Sequence, residues 1–172
     1  MGLRVGTVKL EKYDPKWKEM FLNEKNNLEK YFGDIALEIE HVGSTSVEGL
    51  SAKPIIDIQV AIESFSKFEV LKEIFSKEPY SIKEDSADDE ILIRRGSEEN
   101  RTHFIHVVEK GSPRYINTLL FRNYLRENKD VMLEYEKLKL ELAEKYSDNR
   151  KMYTSSKNDF IKNLIKCAKD NK

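Results

Sequence analysis

Hydrophobic and polar residues alternate with a period of two along parts of this chain and recur with the helical period of about 3.6 along others. The first pattern, together with short apolar runs, predicts strands at 4–10, 35–42, 54–62, 80–83, 91–95 and 103–109. The second predicts helices at 14–32, 64–77, 112–128, 130–146 and 155–169. Asp14 with Pro15, and Ser112 with Pro113, are typical helix starts, and Gly33 is expected to end the first helix.

The order of these elements predicts an α/β fold of the α+β type, in which a mixed sheet is flanked by helices and the C-terminal third is helical. A doubly wound parallel sheet is disfavoured because strands and helices do not alternate regularly. Neither G-x-G-x-x-G nor the P-loop pattern is present. The length of 172 residues predicts one domain, residues 1–172.

Composition narrows the classes of partner. Charged residues make up 35% of the chain, but the net charge is −1. Nucleic acid is therefore not an expected partner. No segment is apolar over the length of a membrane span, and the N-terminus lacks the apolar core of a signal peptide. The single cysteine, Cys167, cannot form an internal disulfide. These features predict a cytoplasmic protein without a membrane partner.

The stretch 41–60, HVGSTSVEGLSAKPIIDIQV, carries the candidate chemistry. A glycine at the end of a predicted strand lets the backbone approach a ligand closely, and the following hydroxyl and N–H groups suit phosphate oxygens. The residues expected to bind phosphate here are Gly43, Ser44, Thr45 and Ser46. Asp57 and Gln59 in the next strand point to one face of the sheet. This arrangement suits a divalent ion that bridges Asp57 to a bound triphosphate.

The same stretch resembles the signature of the nucleotidyltransferase (polymerase-beta-like) superfamily. That signature is an apolar residue, Gly and Gly or Ser, then about ten residues, then Asp-apolar-[Asp/Glu]-apolar. The chain departs from it at the second carboxylate, where Gln59 stands. A neutral amide supports one metal weakly and cannot be shared by two. Two-metal phosphoryl transfer therefore loses a ligand here, while nucleotide binding stays possible.

The whole chain is similar to the GrpB family of bacterial nucleotidyltransferase-like proteins. The segments that carry this resemblance are YDPKW, EHVGSTSVEGLSAKPIIDIQV, RTHFIHVVEKGS, FRNYLREN, YEKLK and YTSSKNDFI. Glu48 stands where the family usually has Pro, which is a change within a loop. The resemblance implies a nucleotidyltransferase-like fold, and Mg²⁺ or Mn²⁺ is the expected cofactor. The expected metal ligands are Asp57, Gln59 and His106.

His103 and His106 are three residues apart on a predicted strand, so they point to opposite faces and do not form a metal pair by themselves. Members of the superfamily often have a third carboxylate on a neighbouring strand, and His106 is best placed to take that position. Asp57 and His106, with His41 as a possible third member, would form a mixed metal site or a catalytic acid/base pair. The alternative is a partly buried histidine that is hydrogen-bonded within the sheet.

Four other side chains are candidates for binding the ligand: Lys53, Arg122, Tyr153 and Lys157. Lys53 would contact phosphate as a point charge, and Arg122 would clamp an anion. Tyr153 and Lys157, four apart, are expected on the last helix, where one would stack on a base and the other would contact phosphate. The alternatives are a solvated lysine, a salt bridge and a surface pair. The acidic run 84–90 is expected to be a solvated loop.

Three functions remain open from the sequence. The first is metal-dependent nucleotidyl transfer to a small molecule or protein, with Asp57 and His106 as catalytic residues. The second is an inactive module that binds a nucleotide, a CoA-type compound or another phosphorylated ligand, which the neutral Gln59 favours. The third is a protein-interaction role, which the charged helical C-terminal third permits. An unpaired buried carboxylate is costly, so Asp57 favours the first two. Metal-dependent nucleotidyl transfer is the preferred prediction, and the inactive binding module and the interaction protein are the alternatives.

Overall fold

Five strands form a mixed sheet in the computed structural model, which describes residues 2–170. The strands are β1 (Glu38–Val42), β2 (Ile56–Ile62), β3 (Tyr80–Ile82), β4 (Ile91–Gly96) and β5 (Arg101–Glu109). Their order across the sheet is β1-β2-β5-β4-β3. The β2–β5 pair is parallel and the other three pairs are antiparallel, so the predicted α+β fold is confirmed.

Helices cover both faces of the sheet. They are α1 (Lys16–Phe32), α2 (Lys72–Phe75), α3 (Pro113–Glu127), α4 (Lys129–Lys145), α5 (Arg150–Ser155) and α6 (Asn158–Asp170). Short 3-10 helices span Gly33–Ile35, Ser44–Ser46 and Phe65–Leu71. No helix among residues 2–170 is long and apolar enough to cross a membrane.

The alternation along β2 and β5 assigns a different role to each face. Ile58 and Ile105 belong to the main core, which also contains Trp17 and Leu28 of α1 and Phe75 of α2. The opposite face carries Asp57, Gln59 and His106 and is covered by the C-terminal helices, which contribute to a second apolar cluster. The buried members of that cluster are Val47, Leu50, Leu125, Met132, Tyr135 and Leu164.

Three element predictions differ from the structure. Residues 4–10 do not form a strand, and the N-terminal segment makes only isolated bridges, from Leu3 to Arg101 and from Glu11 to Ala52. The helix predicted at 64–77 is a 3-10 helix followed by the single turn of α2. The helix predicted at 155–169 is α6, and the short α5 precedes it as a separate helix. Gly33 ends α1 as expected.

Candidate functional site

Gly43 and Asp57 are in direct contact at the end of β1. Gly43 has a φ of 69°, a conformation that favours glycine. A Cβ at this position would lie 2.6 Å from Asp57 Oδ2, so any side chain would collide with the carboxylate. The chain then turns through the 3-10 helix Ser44–Ser46. The predicted loop and the predicted carboxylate therefore meet.

A cavity of about 200 Å³ opens beside this contact, and we call it the Asp57 cavity. Gly43, Ser44 and Thr45 form one side of it, and Asp57 lies on its sheet side. Four cationic side chains also line it: Lys53, Lys139, Arg150 and Lys157. Asp57 is the sole carboxylate among its lining residues. The cavity therefore has a strong excess of positive charge in a poorly solvated place.

Burial, and secondarily this excess of positive charge, lowers the pKa values of the three lysines. Burial, and then the charges of Arg150 and Lys157, lower the pKa of Lys53 to about 7. Burial lowers the pKa of Lys139 to about 7, although Glu136 opposes the change. Burial and Arg150 lower the pKa of Lys157 to about 8, against the opposing charge of Asp57. Lys139 already donates to the Ser51 carbonyl and pairs with Glu136. Lys53 and Lys157 would be better satisfied by an anion in the cavity.

Aromatic rings support these cations. The Lys157 ammonium lies 4.2 Å from the centre of the Tyr153 ring, and Lys53 lies 5.7 Å from the same ring. The Arg150 guanidinium lies 5.2 Å from the Phe104 ring. Tyr153 is only 1% exposed and belongs to α5. We therefore interpret Tyr153 as a support for the lysines. Its ring has no solvent-exposed face on which a nucleobase could stack in the way that the sequence analysis predicted.

Behind Asp57, His106 lies between two carboxylates. Its Nε2 is 3.4 Å from Asp57 Oδ1, and its Nδ1 is 2.8 Å from Glu90 Oε2. Arg114 continues the chain of charges, with contacts of 3.5 Å to Glu90 and 2.8 Å to Asp89. The structure thus brings the predicted pair Asp57 and His106 together and adds Glu90 to it.

The two carboxylates favour the charged imidazolium. Burial alone would lower the pKa of His106, but the hydrogen bonds and charges of Asp57 and Glu90 raise it to about 9. Burial would raise the pKa of Asp57, but His106, Lys53 and Arg150 together lower it. Burial would also raise the pKa of Glu90, but His106 and Arg114 together lower it. At neutral pH the group consists of an imidazolium between two carboxylates.

Several predicted site residues lie away from the Asp57 cavity. Gln59 is 1% exposed and donates from Nε2 to the Tyr115 carbonyl at 3.4 Å. Arg122 binds Glu40 at 2.6 Å and the His41 carbonyl at 2.9 Å, so its guanidinium is already committed to protein acceptors. Neither Gln59 nor Arg122 is among the residues that line the cavity.

His41 and Ser46 also serve the scaffold of the loop. His41 stacks on Phe21 with ring centres 4.8 Å apart, and its Nε2 lies 3.0 Å from Thr45 Oγ1. Ser46 donates from Oγ to the Gly43 carbonyl at 2.6 Å. His41 thus faces α1, away from Asp57 and His106. His103 is buried on that same side, as the opposite-face prediction requires.

Three residues of the site had no assigned role in the sequence analysis: Lys139, Arg150 and Glu90. Lys139 follows Tyr135 by four residues, so a lysine on the apolar stripe of α4 was the available signal. Glu90 immediately precedes β4, and its side chain is only 11% exposed. The prediction that 84–90 is a solvated loop is therefore wrong at its last residue. Arg150 begins α5, and no local pattern marks it.

The close approach of Gly43 to Asp57 predicts a specific loss of stability. We expect Gly43→Ala to reduce the free energy of unfolding by roughly 2–3 kcal/mol, because a positive φ costs alanine about 1–2 kcal/mol and the collision adds to it. Gly49→Ala is the matched control, since Gly49 has a φ of 83° with nothing within 4 Å of an added Cβ. Urea denaturation measures the free energy of unfolding of both variants. Equal losses in the two would contradict a steric role for the Asp57 contact.

A divalent metal ion is the cofactor that the fold family implies. The second ligand position holds the neutral Gln59, which donates to Tyr115, and the neighbouring position holds an imidazolium. Among residues 2–170, no group of three or more His, Cys, Asp or Glu side chains could hold a metal ion. These residues do not fit a two-metal site, because Asp57 is the one carboxylate that the cavity offers.

Known structures share this fold. The crystal structure of conserved protein GrpB from Enterococcus faecalis is similar over 93% of this chain and 96% of that one, with 36% identity and a TM-score of 0.85. The Cid1 poly(U) polymerase, in a crystal structure bound to MgATP, is similar over 77% of this chain with 15% identity and a TM-score of 0.55. This chain covers 44% of the Cid1 chain. The fold is therefore that of a nucleotidyltransferase-like domain.

The sequence comparisons agree. The glutamate-rich protein GrpB of Alkalihalophilus pseudofirmus is 36% identical over 170 residues, which cover 96% of this chain and 98% of that protein. The family profile described as GrpB protein matches residues 7–167. The chain therefore belongs to the GrpB family.

Proposed function

We propose that the Asp57 cavity binds the phosphate groups of a nucleotide or of another phosphorylated small molecule. The observation that carries this proposal is the set of four cationic side chains around a cavity that offers a single carboxylate. Ammonium and guanidinium groups form strong charge-assisted hydrogen bonds with phosphate oxygens. Burial, and then repulsion from neighbouring cations, lowers the pKa of Lys53 and of Lys157, and an anion in the cavity would offset both effects.

The size of the cavity limits which part of the ligand it takes. Its volume of about 200 Å³ is below the 300–1,000 Å³ that is typical of pockets for whole drug-sized ligands. Phosphate groups fit such a space, while a base or another organic group would extend out of it. The loop Ser44–Ser46 is positioned to add backbone N–H donors to the lysines.

Nucleotidyl transfer is the second candidate, and the contact between Gly43 and Asp57 favours it. This contact places a carboxylate directly beside the proposed phosphate site, where Asp57 would hold Mg²⁺ or Mn²⁺ together with phosphate oxygens of the ligand. The Cid1 structures, which share the fold, are bound to MgATP and MgGTP. With one carboxylate in the cavity, transfer would depend on a single ion. His106 would hold the Asp57 carboxylate ionised and oriented.

A thermal-shift panel separates the two candidates. The ligands are the four nucleoside triphosphates, pyrophosphate, CoA and dephospho-CoA, each with and without Mg²⁺ or Mn²⁺. A ligand at about one hundred times its Kd adds roughly 2.7 kcal/mol to the stability, which is readily seen as a higher Tm. We expect pyrophosphate and at least one nucleotide to raise the Tm without metal. If no phosphorylated compound shifts the Tm under any condition, the proposal is wrong.

Asp57→Asn shows whether the carboxylate serves a metal. In a binding module, this variant binds metal-free nucleotide at least as tightly as the wild type, because a negative charge leaves the cavity. In a transferase, it loses the additional shift that Mg²⁺ produces and the release of pyrophosphate from the nucleotide. Asp34→Asn removes the same charge from an exposed position outside the cavity and is the matched control.

A further inference from the structure

A second cavity, of about 600 Å³, lies on the other side of Arg150 and Phe104, which line both cavities. We call it the Arg101 cavity. Asp57 pairs with Phe104, and Phe104 pairs with Arg94, so the three residues form a row across β2, β5 and β4 on one face of the sheet. The two cavities are therefore neighbours on the same side of the sheet.

The Arg101 guanidinium is buried, and two of its three nitrogens have no partner in the part of the chain that the structure describes. Arg101 is 4% exposed, and its Nε and Nη1 have no hydrogen-bond acceptor among residues 2–170. Arg94 lines the same cavity, and its Nε is also buried without an acceptor among these residues, while its Nη2 donates weakly to the Ile82 carbonyl at 3.4 Å. A buried charged donor without an acceptor is costly, so this place suits a ligand that supplies one.

The other residues that line the Arg101 cavity indicate which chemical groups a ligand would carry besides its anion. Leu92, Phe104 and Val5 provide apolar surface, and Lys83 and Lys151 add positive charge. Glu98 is the sole carboxylate among its lining residues, and it is exposed. The cavity combines cations at one part of its wall with an aromatic and aliphatic surface at another. A bare inorganic anion would leave that apolar surface unused.

We propose that the Arg101 cavity is a second ligand site, for a small molecule that carries a phosphate or carboxylate on a planar or apolar body. The guanidinium groups of Arg94 and Arg101 bind the anionic group, since the planar guanidinium matches both anions. The apolar body packs against Leu92 and Phe104. The site does not depend on a nucleotide in the Asp57 cavity, but its position next to that cavity suits the second reactant of a transfer or a second portion of one ligand.

Phenyl phosphate, benzoate and inorganic phosphate are the probes, and the backbone amide NMR signals of the full chain are the readout. We expect phenyl phosphate to cause saturable shifts at Gly6, Arg101 and Thr154, and to bind more tightly than inorganic phosphate. Saturating pyrophosphate should not displace it. Binding of benzoate as well would define the class as planar anions, and its absence would narrow the class to phosphate esters.

Arg94→Gln and Arg95→Gln form a matched pair for this test. Their side chains are adjacent in sequence on opposite faces of β4, and Arg95 pairs with Glu24 instead of lining the cavity. We expect Arg94→Gln to weaken phenyl phosphate binding roughly tenfold or more, and Arg95→Gln to leave it within about twofold. Equal effects of the two changes, or the absence of saturable shifts in the wild type, would overturn the proposal.

The proposal for the Arg101 cavity can be tested separately from the proposal for the Asp57 cavity. Lys157 lines the Asp57 cavity and not the Arg101 cavity. Lys157→Met should therefore weaken pyrophosphate binding roughly 10- to 100-fold and leave phenyl phosphate binding intact. If pyrophosphate displaces phenyl phosphate, the two compounds share one site and the second site does not exist.

Discussion

Replacing Lys157 with methionine is expected to stabilise the ligand-free protein and to remove most of its affinity for pyrophosphate. Burial and Arg150 lower the pKa of Lys157 to about 8 from its ordinary 10.5, so folding disfavours the charged form. Methionine keeps the length of the side chain without the charge. We expect a gain of about 1–2 kcal/mol in unfolding free energy near neutral pH, after allowance for partial solvent screening.

The sign of this effect follows from linkage. The folded pKa lies below the unfolded one, so the unfolded state binds more protons between pH values of about 8 and 10.5. The charge of Lys157 therefore destabilises the ligand-free fold below a pH of about 8, and this penalty shrinks as pH rises. The advantage of Lys157→Met should accordingly be largest near neutral pH and should disappear towards pH 10, as urea denaturation at several pH values will show.

Lys157→Met should lower the affinity for pyrophosphate, although it raises the stability of the ligand-free protein. A hydrogen bond from a charged group to phosphate is worth about 1.5–3 kcal/mol, so its loss should weaken pyrophosphate binding roughly 10- to 100-fold by calorimetry. Lys162→Met is the control, because it makes the same change on the exposed surface of α6. A Lys157→Met protein that is less stable than the wild type, or that binds pyrophosphate normally, would mean that Lys157 has a structural role.

Much of this site could be predicted from local patterns. Gly43, the following hydroxyl residues and Asp57 lie in one stretch of the chain, and the alternation of β2 determines which face Asp57 occupies. The same rule of alternation placed His103 and His106 on opposite faces. These predictions depend on residues close in sequence, where the period of the side chains is enough.

The remainder depends on distant parts of the chain. Lys139 and Arg150 reach the cavity only because α4 and α5 return to the sheet, and Glu90 meets His106 because β4 pairs with β5. The segment 4–10 alternates like a strand, yet its backbone bonds go to scattered acceptors such as Glu98 and Ser147. Local alternation cannot show whether a sheet edge is available to pair with.

The resemblance to the nucleotidyltransferase signature also left the role of Gln59 open. Its position in β2 suggested a weak metal ligand, but the side chain is covered by α3 and bonds to Tyr115. That packing is a tertiary contact, and the motif spacing does not contain it. The motif spacing suggested that Gln59 is a weak metal ligand. In the structure Gln59 does not line the cavity, where Asp57 is the single carboxylate.

His106→Gln is expected to destabilise the protein by up to about 3 kcal/mol at pH values near 6.5, and by much less above pH 9.5. Asp57 and Glu90 raise the pKa of His106 to about 9 from its ordinary 6.5. Because the folded pKa is the higher one, this stabilisation is fully present below a pH of about 6.5 and is lost as pH rises through about 9. Glutamine fills part of the space but leaves the two carboxylates without a cation between them.

His103→Gln is the control for this prediction. Burial lowers the pKa of His103 to about 4, so His103 is neutral in the folded protein over the whole range from about pH 6.5 to 9.5. The loss of unfolding free energy caused by His103→Gln should therefore exceed that caused by His106→Gln near pH 9.5. The loss caused by His103→Gln should become slightly smaller below pH 6.5, where His103 becomes charged only in the unfolded protein. Opposite pH trends for the two variants are the expected signature in urea denaturation.

NMR gives a direct test of the charge on His106, since the chain has three histidines. Burial lowers the pKa of His41 to about 4, as it does for His103, so both rings should be neutral near pH 7.5. The His106 ring should still show imidazolium shifts at that pH and should titrate near 9. A His106 ring that titrates near 6.5 would mean that Asp57 and Glu90 do not hold it as a cation. Asp57 would then be free of that partner, and its carboxylate would be more available to a metal ion than the structure indicates.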